Sequence, residues 1–536
     1  MAADALAVAP LLVPLLSATA ALLTRRWPVI RTSVSVAGVV AYAGVVALVA
    51  WRVVVAPDAP GAVAYQVGDW PAPYGITLVV DALSAFVLVL TAAVALPAML
   101  SSVRYLLAED EDVYYHPLYH FLLVGITGAL LTGDLFNLFV WFEVLLMASY
   151  VLIAFYGGVQ HTRATLWFLV LNIVASAVML VAIGGLYATT GTLNMADMAQ
   201  RLAQPEAYGV AVGPVVGLSA LLFAVFALKA GIVPFQFWVP SAYTAAPLPA
   251  TALLAGAVKK VGIYAILRLY FTVFSEASVP VSLPGTAGDS PLAFLGPVLL
   301  LMAAASVVFG GVGAVRGRSI EEVLAFSSIG QVGFIAIPVA IAALVPPSAP
   351  GVAGLSAREL AIAAALVYAL NHTLAKGMLF LAAATVRSAT GTSRLSELGG
   401  LAGRFPALSS AFMVGALALI GIPPLSGFFG KFLVFDAAVR ADRTLTLAVL
   451  VGGSVLTIAY TTRAWLRGFW GERTAAVETA DGDPGQVAVV VVMALGVVAV
   501  GVGFEVVFAF AEAAAEAATD TDAYVDLVAP TGGVEE

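Results

Sequence analysis

The sequence contains no cysteine, which removes disulfides, iron–sulfur ligation and cysteine-based zinc sites from consideration. It has only four histidines, His116, His120, His161 and His372, with no HExxH or facial-triad spacing. No metal centre, haem or other cofactor is therefore implied. Charge is scarce as well: 10% of the 536 residues are charged, and the net charge of −8 argues against nucleic-acid binding. Gly310, Gly311 and Gly313 follow no strand and precede no Gly-Lys-Ser/Thr, so they read as close helix packing. Without a nucleotide motif the chain itself is not an ATPase. Scarcest in its placement is lysine. There are five, Lys229, Lys259, Lys260, Lys376 and Lys431, and the loops carry arginine instead.

What is abundant is apolar sequence. Hydrophobic residues make up 62% of the chain, and the mean hydropathy is +1.02. A soluble protein of this length cannot hide so much apolar surface, so the class is membrane. Segments of about 20 apolar residues can be marked at 14 places: 6–23, 29–56, 79–100, 116–132, 135–155, 164–190, 210–236, 248–273, 292–314, 319–345, 359–386, 407–433, 444–470 and 486–512. Asp4, and no basic region, precedes the first, which reads as a retained span and not as a signal peptide. Residues 1–512 form one integral membrane domain on this reading, and the acidic segment 513–536 reads as a disordered tail. No loop is long enough for a soluble domain.

Loops after odd-numbered spans hold 13 arginines and loops after even-numbered spans hold five. By the positive-inside rule the first set is cytoplasmic and both termini face outward. All five lysines fall within spans, where an ammonium near the bilayer centre costs about 2.5–3.5 kcal/mol on insertion scales. Such groups need partners, water or a proton-handling role.

The seventh span contains Gly231-Ile232-Val233-Pro234 and the twelfth Gly421-Ile422-Pro423-Pro424. Proline removes a backbone donor and clashes with the preceding turn, so each helix should break there. The breaks are five spans apart and so cross in opposite directions. That suits an inverted repeat, spans 4–8 (about 116–273) against spans 9–13 (about 292–470), with ion sites at the discontinuities. Plain kinks are the alternative, but a lysine accompanies each break.

Glu143 sits near the middle of the fifth span, and Lys229, two residues before Gly231, is its natural partner. The pair is either a charge-coupled gate or a static salt bridge. Lys259 and Lys260 point about 100° apart on a helix, so one faces the polar interior and the other takes a snorkelling or supporting position. His372 and Lys376 share a face at i and i+4 and suit a proton relay; Asn371 adjoins them. Lys431 ends the path at one membrane face or snorkels to it. Ser327, Ser328 and Gln331 hold bridging waters or link helices. Glu505, His116 and His120 read as interfacial.

Together these segments resemble the proton-translocating subunits shared by respiratory complex I and the Mrp-type multisubunit sodium/proton antiporters, most of all the D subunit of the Mrp type. The resemblance rests on WPAPYGITLVVDALSAF (70–86), GDLFNLFVWFEVLLMASYVLIAFY (133–156), GTLNMADMA (191–199) and ALKAGIVPFQFWVP (227–240). It continues in LLAGAVKKVGIYAILR (253–268), LNHTLAKGMLFL (370–381), GIPPLSGFFGKF (421–432) and FWGE (469–472), and covers roughly 70–472. It implies an all-α, multi-pass subunit of a prokaryotic cell membrane that moves protons at mid-membrane through Glu143, Lys229, Lys260, His372 and Lys431. Sodium and protons are the implied ions, with other antiporter subunits and lipid as partners. A complex I-like or hydrogenase-type redox complex is the other function it allows. A non-transporting scaffold is a third, against which the intact charged set speaks. Two segments depart from the family pattern. Where relatives often carry PDxxH, this chain has Pro240-Ser241-Ala242-Tyr243-Thr244, and where they read KRLLAYSS it begins Glu321-Glu322.

Overall fold

The computed structural model of the chain describes residues 3–106, 113–279, 281–283, 286–352 and 354–529. Among them, twelve helices are long and apolar enough to cross a membrane. In chain order α1 (Leu6–Leu23), α2 (Pro28–Val55) and α3 (Ala82–Leu106) precede α4 (Tyr115–Leu131). There follow α5 (Leu135–Ile153), α6 (Gly158–Thr190), α7 (Gly213–Ala230) and α8 (Leu248–Glu276). Next come α9 (Leu292–Arg316), α10 (Ile320–Leu344) and α11 (Ala357–Thr390). The pair α12 (Pro406–Ile420) and α13 (Ser426–Arg440) is followed by α14 (Thr444–Phe469) and α15 (Pro484–Val502). The expected count of fourteen is not reached by length alone. The fourth element has only 17 residues, and the twelfth span is two helices of 15 residues each.

The helix ends follow local chemistry. Asp134 caps α5 by accepting from the Asn137 N–H, and Ser356 with Glu359 forms a capping box on α11. α7 and α12 stop at Gly231 and Gly421, whose φ values of 66° and 93° lie in the left-handed region. Both glycines are followed by a cis X-Pro bond, Val233–Pro234 and Pro423–Pro424.

The two halves repeat one another at a matching corner. α6 ends at Thr190-Gly191-Thr192 and α11 at Thr390-Gly391-Thr392. The first Thr hydroxyl of each donates to the carbonyl of the last, at 3.2 and 2.9 Å. The corners are closed by isolated bridges, Asp134 with Asn194 and Ser319 with Arg394. Gln160, in the first turn of α6, lines the same cavity as Ser319 and Arg394. The other end of that 33-residue helix, about 50 Å away, sits at the Asp134–Asn194 corner. Equivalent corners therefore lie at opposite ends of the bundle, as an inverted repeat requires.

α8 and α11 are enclosed on every side, and α10 nearly so. The glycines singled out in the sequence are where α9 and α10 touch: a Cβ at Gly310 would lie 2.1 Å from the Gly330 nitrogen.

Three expectations are corrected. The last span does not run to residue 512 but stops at Val502. α16 (Phe504–Thr519) and α17 (Thr521–Val528) then follow, so residues 513–528 of the expected tail are almost wholly helical; 530–536 lie outside the described residues. The acidic composition hid a stripe of small residues, Ala511, Ala514, Ala515 and Ala518, all buried. His116 and His120 are buried and not interfacial, because α1 and α2 cover α4. Short antiparallel strand pairs, 63–66 with 77–80 and 281–283 with 286–288, add β-structure to an otherwise helical chain.

Candidate functional site

All five lysines and His372 are buried and are distributed through the interior of the two repeats, whereas Glu143 is partly exposed. In the first repeat the Lys229 Nζ donates to Asn172 Oδ1 at 3.0 Å, and the Ser176 hydroxyl donates to the Glu143 carboxylate. Asn172 and Ser176 are i and i+4 on α6, one face of one helix. The direct Glu143–Lys229 ion pair that was expected is not seen among the described residues; the two groups are held separately by neighbouring side chains on one face of α6. Lys229 lies in the last turn of α7, where the helix dipole favours a cation. The ring of Phe142 lies 5.5 Å from its amine. The break is held open by its own hydrogen bonds: Val233 N–H donates to Ser306 Oγ at 2.9 Å and Trp238 Nε1 to the Leu228 carbonyl at 2.9 Å.

The centre is built by α8. Residues Leu254–Val258 form a π-helical turn, whose altered spacing leaves carbonyls for other donors. Tyr243 OH reaches the Leu254 carbonyl at 3.2 Å, Lys260 Nζ the Ala255 carbonyl at 2.7 Å and Thr373 Oγ1 the Gly256 carbonyl at 2.8 Å. Lys260 Nζ also contacts His372 Nδ1 at 2.6 Å. His372 thus meets Lys260, while Lys376, one turn away on α11, turns to α10 and donates to the Leu324 carbonyl at 3.0 Å and to the Ser327 hydroxyl.

Lys259 differs from its expected place. It is fully buried, donates to the Ser328 carbonyl at 3.3 Å, and lies beside the α7 break: a Cβ on Gly231 would sit 3.0 Å from its Cε. An enclosed helix has no outward face, so adjacent lysines 100° apart are both interior.

In the second repeat Lys431 Nζ donates to the Ile420 carbonyl at 3.1 Å and to Ser454 Oγ at 3.3 Å, with Phe334 4.8 Å away. It is buried at the α12 break, so its side chain does not snorkel outward. Asn371 joins α11 to this break by accepting from Ser426 Oγ at 2.9 Å. Gln331 accepts from Tyr368 OH and donates to Tyr460 OH at 3.0 Å and Thr457 Oγ1 at 3.3 Å, linking α10, α11 and α14. Ser327 holds Lys376, whereas the Ser328 hydroxyl and His372 Nε2 are buried without a hydrogen-bond partner among the described residues. Glu505 is exposed.

Two features escaped sequence reading. Asp81 and Arg268 form a buried ion pair, with Tyr524 of α17 stacked 4.9 Å over the guanidinium. The Thr272 hydroxyl of α8 donates to the Ala518 carbonyl of α16, and the Thr521 hydroxyl of α17 donates to the Thr272 carbonyl, tying both helices to α8. Neither residue of the ion pair sits in a motif that marks a partner 187 positions away. The second is a cavity of about 970 Å³ at the arginine-rich end, lined by Arg316, Arg318, Arg387, Arg394, Arg463 and Arg467. Ser241, Thr244, Glu321 and Glu322 line it too, so both segments that depart from the family pattern meet in one place. Among the described residues no cluster of three or more His, Asp or Glu side chains is arranged to hold a metal ion.

Residues 132–457 match the family described as NADH:quinone oxidoreductase/Mrp antiporter, TM. The D subunit of a Na(+)/H(+) antiporter of Alkalihalophilus pseudofirmus is 36% identical over 422 residues, 78% of this chain and 79% of the relative. The N subunit of an NADH-quinone oxidoreductase of Desulforudis audaxviator is 37% identical over 412 residues, 75% of each. Among solved structures, a chain of the Mrp complex from Dietzia sp. superposes with a TM-score of 0.82 at 27% identity, covering 98% of this chain and all of that one.

Proposed function

The chain belongs to the NADH:quinone oxidoreductase/Mrp antiporter transmembrane family, and we propose that it is the proton-translocating subunit of a multisubunit sodium/proton antiporter. Its partners are other subunits of that complex in a prokaryotic plasma membrane, with the arginine-rich end cytoplasmic and both termini outside. It is a secondary transporter and carries out no covalent chemistry on a substrate.

The observation that carries the reading is the set of buried amines spread across both repeats on the enclosed helices α8 and α11 and at the two helix breaks. Glu143, Lys229, Lys259, Lys260, His372, Lys376 and Lys431 are the groups along which protons pass. Buried polar atoms lacking a partner among the described residues, such as His372 Nε2 and Ser328 Oγ, are where water enters a native interior, and water completes the gaps between amines. Glu143 and Lys229 communicate through Ser176 and Asn172. A proton arriving on either changes the charge that Asn172 and Ser176 must satisfy, which biases the α7 break.

The relative named as a subunit of NADH-quinone oxidoreductase supports a second reading, in which electron transfer in a partner drives the same row. The two are separated by co-expressing the chain with its genomic neighbours in an antiporter-deficient host and preparing everted vesicles. Addition of sodium collapses a respiration-generated pH gradient in wild type. Glu143→Ala and Lys229→Ala lose the collapse while the complex remains at normal membrane level. An assembled wild-type complex that leaves the gradient intact rejects sodium/proton exchange and favours the redox-linked reading.

A further inference from the structure

Glu321 stands in the first turn of α10 and lines the arginine-rich cavity, yet it is only 2% exposed. Neither carboxylate oxygen accepts a hydrogen bond among the described residues. Its one ion-pair contact among them is with Arg387 of α11 at 4.0 Å, a separation at the outer limit of pairing, and the Arg387 side chain is itself 44% exposed. A buried carboxylate without donors carries a large desolvation cost, so a purely structural ion pair is a poor account of it.

Its position is more informative. Further along α10 stand the two acceptors of Lys376 Nζ, the Leu324 carbonyl three residues on and the Ser327 hydroxyl six residues, about 9 Å, on. Residues three apart on a helix are neighbours on its surface. On α11, Lys376 and Arg387 are eleven residues apart, three turns, and so face the same way. Glu321 therefore lies between the cavity and the nearest amine of the buried set. The charged groups that face it across the cavity are Arg316, Arg318, Arg387, Arg394, Arg463 and Arg467, with Glu322 beside it on α10. Six guanidinium groups repel free cations from this mouth. A proton crosses it most easily on a neutral carboxylic acid, and Glu322 is the less suited of the two carboxylates. It is partly exposed and accepts from the Arg318 N–H at 2.8 Å.

We propose that Glu321 is the group that exchanges protons between Lys376 and water at the arginine-rich mouth. In the exchange direction, the Lys376 ammonium gives a proton to the Glu321 carboxylate by way of the Ser327 hydroxyl and intervening water, leaving a neutral amine and a carboxylic acid. The acid then releases the proton to cavity water and returns to carboxylate. This rests on the proton-exchange reading above and adds the residue that serves its cytoplasmic end.

The test uses the assembled complex in everted vesicles, whose bath contacts the arginine-rich end. Glu321→Gln is expected to slow sodium-driven collapse of the pH gradient by about tenfold or more, the contribution of one proton-transfer group. Glu321→Asp is expected to restore most of the rate. Raising the concentration of a membrane-impermeant buffer in the bath should speed Glu321→Gln and not wild type, because the buffer replaces the missing acceptor in the cavity. Glu321→Gln running within about twofold of wild type overturns the assignment while leaving proton exchange intact. Equal losses in Gln and Asp variants with no response to buffer also overturn it, in favour of a structural pair with Arg387. An assembled wild-type complex that leaves the gradient intact rejects the exchange reading itself, and this assignment with it.

Discussion

The two broken helices look alike and hold their lysines differently. At the first break, Lys229 is bound by a side chain, Asn172, one turn from a serine that serves Glu143. At the second, Lys431 is bound by a backbone carbonyl, Ile420, and by Ser454, with an aromatic ring and no carboxylate among its contacts to the described residues. The shared geometry comes from glycine and proline acting on the chain locally. The difference comes from neighbouring helices; on the function proposed above, the first site responds to a nearby charge and the second is a fixed station. The same contrast separates the two glycines. Gly231 is crowded by Val239 and Lys259, a Cβ there lying 2.7 Å from Val239 Cγ2, whereas the contacts of Gly421 are looser, with Lys431 Cδ at 3.0 Å.

The comparison breaks first, if it is wrong, at Asn172. Replacing it with leucine leaves the Lys229 ammonium without its acceptor. A hydrogen bond to a charged group is worth about 1.5–3 kcal/mol, and its loss in the transition state alone slows transport roughly ten- to hundredfold. Vesicle assays of Asn172→Leu should show this with normal assembly; unchanged transport would mean that the α6 contacts are not part of the path. Next in size is the pair Gly231→Ala and Gly421→Ala. An L-residue in the left-handed region costs about 1–2 kcal/mol, and the crowding at Gly231 adds to it. Thermal denaturation of the purified complexes should place Gly231→Ala lower than Gly421→Ala, and equal midpoints would erase the distinction. The smallest effect belongs to Ser454→Ala. The Ile420 carbonyl still accepts from Lys431, so transport changes by less than about twofold. A large loss there would show that the second break depends on its side chains as the first does.

Much of the site was legible because its signals are local. Lysines inside apolar runs, prolines two or three residues after a glycine, and arginine-rich alternate loops all act within about one helix length. The α6 contacts of Glu143 and Lys229 were not, because the azimuth of α6 relative to α5 and α7 decides which side chains meet them. The burial of Lys259 depended on α8 being enclosed, and enclosure is a property of the surrounding helices. The packed helices after Val502 were hidden for a related reason. A stripe of alanines between glutamates carries little hydropathy, and its partner surface on α3, α8 and α11 lies far away in sequence.

By itself the sequence determined that the chain is a multi-pass helical membrane protein, where two of its helices break, and that all five lysines fall within its spans. Each follows from transfer energies and backbone sterics that act residue by residue. Tertiary structure alone decided which partner each buried charge meets, that Asp81 and Arg268 pair, and that Glu321 lies between the arginine-lined cavity and Lys376. Those contacts join residues tens to hundreds of positions apart, and only the packing angle and rotation of whole helices bring them within hydrogen-bond reach.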